Sequence, residues 1–164
     1  MATGTVEPIL RPSGRVILIG PGDVTLLFRG GDPHRPADGT WWFTPGGGTE
    51  GGESTFEAAR RELWEETGQR DVEWYGLVAR REAVFSFMGQ TYRSIEEFYL
   101  ARAHSLAVDL HGLTELEVEA VEEHRWLDPD SLVRLSDPVY PVALADHLVG
   151  LIGGELPSEP WIWE

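Results

Sequence analysis

The chain of 164 residues contains no cysteine. This absence excludes disulfides, thiolate metal sites and a cysteine nucleophile, and it is compatible with either redox compartment. Basic residues are scarce, with 13 Lys and Arg against 28 Asp and Glu, so the formal net charge is −15. Such a charge disfavours the binding of long polyanions such as DNA or RNA. Small anions that carry a metal ion remain acceptable ligands.

Long hydrophobic runs are also missing. No stretch approaches the roughly 20 apolar residues that a membrane-spanning helix requires, and the N-terminus lacks a basic segment followed by a hydrophobic one. We therefore expect a cytoplasmic protein without a membrane partner. The length is near the usual size of one domain, and 41% of the residues are hydrophobic. These values predict a single domain over residues 1–164 that buries roughly two-thirds of its unfolded surface.

The most informative stretch runs from Gly47 to Gln69 and reads GGTEGGESTFEAARRELWEETGQ. Ser54-x-x-Glu57 within it has the form of a capping box, which marks the start of a helix. No Pro or Gly interrupts the sequence from there to Thr67, and Gly68 supplies a stop. The pattern therefore predicts a glycine-rich loop that leads into an acidic helix.

Three glutamates of this helix, Glu62, Glu65 and Glu66, lie three and four positions apart and share one face. Their mutual repulsion costs about 0.2–0.5 kcal/mol per pair, which a hard divalent cation would offset. An acidic helix alone is more often a solvated face, and a glycine loop alone is more often a turn. Their conjunction favours a metal and phosphate site, in which the loop from Pro45 to Gly48 offers backbone groups. Arg61 either relieves the repulsion or orients a neighbouring carboxylate.

The spacing G-x5-E-x7-R-E-[apolar]-x-E-E-x-G, counted from Gly47 to Gly68, resembles the signature box of the Nudix hydrolases. The preceding Trp42-x-x-Pro45-Gly46-Gly47 resembles the usual lead-in to that box. One position departs from the family pattern, because the residue after Gly68 is usually aliphatic and is Gln69 here. The missing cysteine separates the chain from isopentenyl diphosphate isomerases, which share the fold and use a catalytic cysteine.

The resemblance implies an α/β fold, a sandwich in which a mixed β-sheet lies between helices. It also implies hydrolysis of a diphosphate linkage with Mg²⁺ or Mn²⁺ as the cofactor. The implied metal site comprises the Gly46 carbonyl, Glu53, Glu62, Glu65 and Glu66, with Glu66 as the foremost direct ligand. The implied catalytic residues are Arg61, which orients the cluster, Glu62 as a ligand or base, Glu65, and Glu97.

Glu97 represents a further base or ligand that family members often recruit from outside the box. The sequence offers two acidic pairs for this role, Glu96 with Glu97 and Glu122 with Glu123. For each of them the alternative is an ordinary salt-bridge partner at the surface.

The remaining sequence predicts strands separated by turns, with a helix near the end. The predicted strands are Arg15–Ile19, Val24–Phe28, Trp41–Thr44, Val72–Ala79, Arg81–Phe87, Tyr92–Ala103 and Glu123–Leu127, a short helix is expected at Asp128–Pro129, and a terminal amphipathic helix over Pro141–Ile152. We expect Trp161 and Trp163 in the tail to dock on the body or on a second subunit. Trp41, Phe85, Phe87 and Tyr92 are either base-stacking or core residues.

Two function classes fit these observations. The first is a metal-dependent hydrolase of a nucleoside diphosphate joined to another group, such as a nucleoside triphosphate, a nucleotide sugar or a dinucleotide polyphosphate. The second is a Nudix-fold module that binds such a nucleotide without cleaving it. The complete set Glu62, Glu65 and Glu66 favours the hydrolase, because a pure binder has no need of a self-repelling cluster. A homodimer is a further expectation drawn from the resemblance.

Overall fold

A computed structural model of the protein describes residues 4–164. The strands are β1 (Ile9–Gly20), β2 (Val24–Gly30), β3 (Trp41–Phe43), β4 (Gly46–Gly48), β5 (Val72–Phe87), β6 (Gln90–Ala103), β7 (Val121–Leu127), β8 (Val139–Tyr140) and β9 (Trp161–Trp163). The helices are α1 (Thr55–Thr67), α2 (Glu115–Ala120), α3 (Pro129–Val133) and α4 (Leu144–Ile152), and a short 3-10 turn covers Pro36–Asp38. In this described part of the chain no helix is both long and apolar enough to cross a membrane.

The strands form one mixed sheet in the order β8-β3-β2-β1-β6-β5-β9, with β4 paired to β1 and β7 paired to β2. Strand β1 lies at the centre, parallel to β6 and antiparallel to β2 and β4. The first half of β1 pairs with β4 and the second half with β2. The glycine loop is thereby attached to the middle of the sheet.

Both faces of the sheet are covered, which explains the continuous apolar run at the end of β1. Val16 and Leu18 pack with Ala59 and Leu63 of α1 on one face. On the other face, Ile17 and its neighbours pack with buried leucines of α3 and α4. The predicted sandwich of a mixed sheet between helices is confirmed.

Strand β5 was expected as two strands that part near Arg80. It is one strand, because Arg80 and Arg81 lie opposite Glu97 and Glu96 of β6 and form ion pairs with them. Its irregularities lie earlier, where the register with β6 shifts around Gly76. Charge pairing across two strands, which a single sequence does not show, explains the difference.

One other segment differs from expectation, and one that had no predicted structure is ordered. Gly46–Gly48 is a short strand against β1 where a loop was expected. The strongly acidic segment from Thr114 to Glu123 folds as helix α2 followed directly by β7, which pairs with β2.

The tail forms β9, which pairs in parallel with Ala79–Arg81 of β5. Trp163 is buried and lies 5.3 Å from Phe98, measured between ring centroids. Trp161 stacks on His147 of α4 at 4.1 Å. The tail therefore docks on the body of its own chain, which confirms one of the two expected arrangements.

Candidate active site

Helix α1 positions the acidic residues of the box. The Ser54 hydroxyl accepts a hydrogen bond from the Glu57 N–H at 3.1 Å, and the Glu57 carboxylate accepts one from the Ser54 N–H at 3.4 Å. The helix ends at Gly68, whose φ of +73° is the left-handed conformation that favours glycine. Because Leu63 packs in the core beneath the helix, Glu66, three positions further on, is also turned inward.

Arg61 connects the loop to the helix. Its Nε and Nη2 donate to the two carboxylate oxygens of Glu53 at 2.8 and 2.9 Å. Its Nη1 donates to Glu62 at 3.0 Å and to Glu65 at 3.2 Å, and its Nη2 also donates to the Gly48 carbonyl at 3.0 Å. The hydrogen bonds from Arg61 lower the pKa of Glu53, and this carboxylate raises the pKa of Arg61 in return. The arginine thus contacts three carboxylates, and this geometry is compatible with the orienting role that the family resemblance implied.

Two carboxylates of α1, Glu65 and Glu66, are unfavourable in their ionised form. Glu66 is 5% exposed and accepts a hydrogen bond from the Gly46 N–H at 3.0 Å. Burial, and then the charge of Glu62, raise its pKa well above the usual range. Burial and Glu62 also raise the pKa of Glu65. A divalent cation would remove this penalty because it favours the ionised form of each carboxylate.

The glycines of β4 let the loop pass close to the helix and to β1. A Cβ atom on Gly47 would lie 2.4 Å from the Glu62 Oε1, so a larger residue would displace that carboxylate. Gly46 has a φ of +137°, and a Cβ atom there would lie 2.4 Å from the Gly14 carbonyl oxygen. The Gly46 carbonyl, a predicted metal ligand, accepts a hydrogen bond from Arg15 Nη1 at 3.2 Å.

A further glutamate, which the sequence reasoning did not select, lies at this site. Glu117 of α2 joins Glu62 and Glu66, and ligand oxygens of the three side chains lie within 4.8 Å of one another. The Thr114 side chain caps α2 and donates to the Glu117 carboxylate at 2.9 Å. The capping-box pattern Thr114-x-x-Glu117 was present in the sequence and could have identified this helix.

The other predicted ligands and bases lie around this group. Glu53 and Glu65 contact Arg61, as described above. Glu97 points toward the start of α1, where it accepts hydrogen bonds from the Thr55 hydroxyl at 2.8 Å and from Arg80 Nε at 2.9 Å. The structure therefore places Glu97 at the first turn of α1, outside the group that contains Glu117.

The three other acidic residues considered from the sequence are also engaged elsewhere. Glu96 follows the alternation of β6 and lies on the opposite face of the sheet from Glu97. Glu122 and Glu123 both pair with Arg29, at 3.3 and 2.7 Å. Glu122 and Glu123 are therefore salt-bridge partners at the surface, which was the alternative to a role as base or metal ligand.

Gln69, the departure from the family pattern, has a polar role at the exit of α1. Its side-chain amide donates to the Ser105 and Ala107 carbonyls, both at 3.0 Å. These bonds fasten the segment after β6 to the C-terminal end of α1. These hydrogen bonds explain the polar residue at a position where an aliphatic side chain would instead make packing contacts.

Comparison with known proteins agrees with this architecture. A family model described as the NUDIX domain matches residues 10–145, most of the chain. The chain belongs to this family. A curated relative, an RNA pyrophosphohydrolase of Bartonella henselae, is 41% identical over 59 residues, which are 32% of this chain and 34% of the relative. The chain thus spans about a third of the length of this relative.

Solved structures show the same fold. The MutT protein from Methanosarcina mazei Go1 has a TM-score of 0.64 and 18% identity, covering 92% of this chain and 98% of that one. An Ap4A hydrolase binary complex from C. elegans has a TM-score of 0.62 and 15% identity, covering 88% and 99%. At these identities the likeness establishes the NUDIX fold.

Proposed function

We propose that this NUDIX protein is a pyrophosphohydrolase that cleaves the diphosphate linkage of a nucleoside diphosphate joined to another group. The observation that carries the proposal is the convergence of Glu62, Glu66 and Glu117, with ligand oxygens within 4.8 Å. Carboxylate oxygens are the donors that Mg²⁺ and Mn²⁺ prefer, so these three side chains would hold the ion. When bound, the ion supplies positive charge that neutralises the anionic diphosphate and makes its phosphorus open to attack.

The side chains around this site have separable roles in the proposal. Glu66, buried and fixed by the Gly46 N–H, serves as a rigid ligand. Glu65 is 30% exposed, and its pKa is raised toward neutral pH. A general base works best when its pKa lies near the pH of the reaction, so this direction suits Glu65 for that role. It would take the proton of the attacking water while the oxygen bonds to phosphorus and the bridging P–O bond breaks. Arg61 and Glu53 hold this arrangement in place through their paired hydrogen bonds.

A small nucleotide suits the chain better than a long nucleic acid. The net charge of −15 opposes the approach of a polyanion, whereas a nucleotide that arrives with its cation carries much less negative charge. The curated relative acts on RNA by name, so a 5′-triphosphorylated oligonucleotide is the natural competing substrate. Nucleoside triphosphates, nucleotide sugars, ADP-ribose and dinucleotide polyphosphates form the proposed class.

The test is the loss of substrate, followed by chromatography, for these four nucleotide classes and for the oligonucleotide, with Mg²⁺, with Mn²⁺ and with chelator. Product analysis identifies the bond that breaks. We expect metal-dependent cleavage of at least one small nucleotide and its loss in Glu66→Gln. Arg60→Gln, on the exposed side of the same helix, is the matched control and should retain activity.

Other results would contradict the proposal in distinct ways. Full turnover in Glu66→Gln at saturating Mg²⁺ would remove Glu66 from the metal site. Nucleotide binding without turnover across the whole panel would establish the non-catalytic sensor instead. Cleavage of the oligonucleotide alone would overturn the small-nucleotide class.

A further inference from the structure

The glycine strand β4 lies between the carboxylates of α1 on one side and Arg11 and Arg15 on the other. Its middle glycine faces the carboxylates of α1. Its outer two, Gly46 and Gly48, face Arg15 and Arg11: a Cβ atom on Gly46 would lie 2.9 Å from the Arg15 Cδ, and one on Gly48 would lie 2.8 Å from the Arg11 Nε. Two cations therefore adjoin the loop from the sheet face opposite α1.

The arginines near the loop differ in their partners. Arg15 donates to two backbone carbonyls at 3.2 and 3.3 Å, and its Nε lies 3.4 Å from Glu96. Arg81 lies 3.5 Å from the other oxygen of Glu96. Within residues 4–164 the guanidinium of Arg11 has neither a hydrogen-bond acceptor nor a carboxylate partner, and it is packed over the Tyr92 ring at 5.4 Å. Arg11 is the cation that remains available beside this carboxylate-rich site.

The surroundings of Arg11 favour an anionic ligand. Its side chain is partly buried, and burial together with the positive charge of Arg15 lowers its pKa. A guanidinium nevertheless stays protonated in proteins. A cation that has lost part of its hydration without gaining an acceptor is unfavourable, and a phosphate oxygen would relieve this because it accepts a guanidinium in paired geometry.

An aromatic pair lies next to Arg11 on the same sheet face. Phe85 of β5 and Tyr92 of β6 are directly opposite each other, with ring centroids 5.8 Å apart, and both are partly exposed. The next residues on the same face of β1 and β6 are the small Ser13 and Ser94, which lie side by side and are fully buried. Partly exposed aromatic rings form a surface on which a flat ligand can stack.

We propose that Arg11 and the Phe85–Tyr92 pair bind the nucleotide part of the substrate, with Arg11 on a phosphate oxygen and the rings against the nucleobase. This inference rests on the proposed function, since it places the rest of the substrate next to the scissile linkage. It names the substrate class as one that carries a nucleobase close to the diphosphate. A diphosphate without a base would use Arg11 alone.

The experiment compares two non-hydrolysable probes, α,β-methylene-ADP and methylenediphosphonate, by calorimetry in the presence of Mg²⁺. The probes share the P–C–P unit and differ by the nucleoside. Arg11→Gln should weaken both probes by roughly tenfold to a hundredfold, because each loses a charge-assisted hydrogen bond. Tyr92→Leu should weaken only α,β-methylene-ADP, by roughly fivefold to a hundredfold, because stacking is lost while apolar volume remains.

Arg93→Gln is the matched control. Arg93 follows Tyr92 on β6, points to the other face of the sheet and pairs with Glu82 at the surface. The substitution therefore removes the same charge as Arg11→Gln without changing the proposed binding site. Its affinity for both probes should equal that of the wild type. Thermal unfolding of every variant, including Phe85→Leu as a second ring deletion, shows whether the fold is retained.

Each outcome bears on the inference separately from the proposed function. Unchanged affinity of folded Arg11→Gln for both probes would overturn the role of Arg11. Equal losses of both probes in Tyr92→Leu and Phe85→Leu would overturn base stacking. Binding is measured without turnover, so the two proposals can fail separately. An inactive protein whose affinity depends on Arg11 would refute the hydrolase and retain this binding site. An active protein whose affinity does not depend on Arg11 would retain the hydrolase and refute this binding site.

Discussion

Helices α1 and α2 begin with the same device and differ in almost everything else. Ser54 with Glu57 and Thr114 with Glu117 each form a complete capping box, and both helices are acidic. Five residues of α1 are buried, whereas none of α2 is. Local sequence therefore starts both helices, but packing makes one a fixed scaffold and leaves the other a surface element. The candidate metal site combines two ligands from the scaffold with one from the surface.

The largest expected effect is at Arg61, which gives α1 its fixed geometry. Arg61→Ala leaves Glu53, Glu62 and Glu65 without their shared cation. We expect the free energy of unfolding to fall by about 2–3 kcal/mol, less than the roughly 3–5 kcal/mol of a fully buried pair because the Arg61 side chain is 20% exposed. Urea unfolding in chelator measures it. Arg60→Ala should cost far less, and an equal loss in both variants would contradict the central role of Arg61.

Next in size is the difference between the two helices as ligand donors. Glu66→Gln should lower turnover more than the roughly 10–100-fold typical of residues that only support a metal ligand. Glu117→Gln should lower it by about tenfold, because α2 can shift and solvent can replace its carboxylate. Turnover and metal affinity over a Mg²⁺ titration give both values. A larger loss in Glu117→Gln than in Glu66→Gln would reverse the assignment of the fixed and the adjustable ligand.

The pH dependence of stability sharpens the same contrast. Because the folded state raises the pKa of Glu66 above its usual value of 4.5, the folded protein holds this proton more tightly than the unfolded chain does. The contribution of Glu66 to stability is therefore complete below about pH 4.5 and is lost as pH rises through its folded pKa. Glu53 has a lowered pKa, so its contribution to stability changes with pH in the opposite direction. This contribution is the same in the wild type and in Glu66→Gln, and it cancels when the two are compared.

In chelator, the wild type should thus lose stability relative to Glu66→Gln as the pH rises from 5 to 8, because the folded protein holds the Glu66 proton more tightly than the unfolded chain does. Urea unfolding at the two pH values measures the difference. Saturating Mg²⁺ should restore the wild type alone at pH 8. A difference that does not change with pH would contradict the raised pKa of Glu66 as a source of pH-dependent stability in this range.

The smallest effects concern the caps themselves. Ser54→Ala should lower the free energy of unfolding by about 1 kcal/mol, because α1 is part of the core. Thr114→Ala should leave the melting temperature nearly unchanged, because α2 buries no residue, yet it should weaken Mg²⁺ binding through the freed Glu117. Thermal unfolding and metal titration separate the two. Equal changes in melting temperature would contradict the surface character of α2.

The sequence was sufficient for α1 because its information is local. The capping box at Ser54, the helix stop at Gly68 and the one-turn spacing from Arg61 to Glu65 all lie within a few turns of one helix. These features correspond to contacts in the structure. The run Arg15–Ile19 likewise predicted a strand, and it lies within β1.

Glu117 was beyond such reasoning because its position depends on distant pairing. Helix α2 is held near α1 from both ends: the Asp109 N–H before it donates to the Thr67 carbonyl of α1 at 2.8 Å, and β7 after it pairs with β2. No local pattern specifies either contact.

For Glu96 and Glu97, alternation along β6 shows that they face opposite sides, but only the packing of α1 shows which side each takes. The sequence alone did not identify Arg11 as a candidate binding residue. That its guanidinium has no carboxylate partner among residues 4–164 is evident only when the positions of the neighbouring charges are known.

The central position of β1 has a consequence for how the protein folds. Its partner β6 lies about eighty residues away, as the contact between Ser13 and Ser94, 81 positions apart, shows. Pairing at such separation closes a large loop before it gains contacts, and chains dominated by such pairings fold slowly. The glycine strand and α1 lie inside that loop. The carboxylates therefore meet the sheet in their final arrangement only after the slowest closure, so binding competence should appear late during refolding.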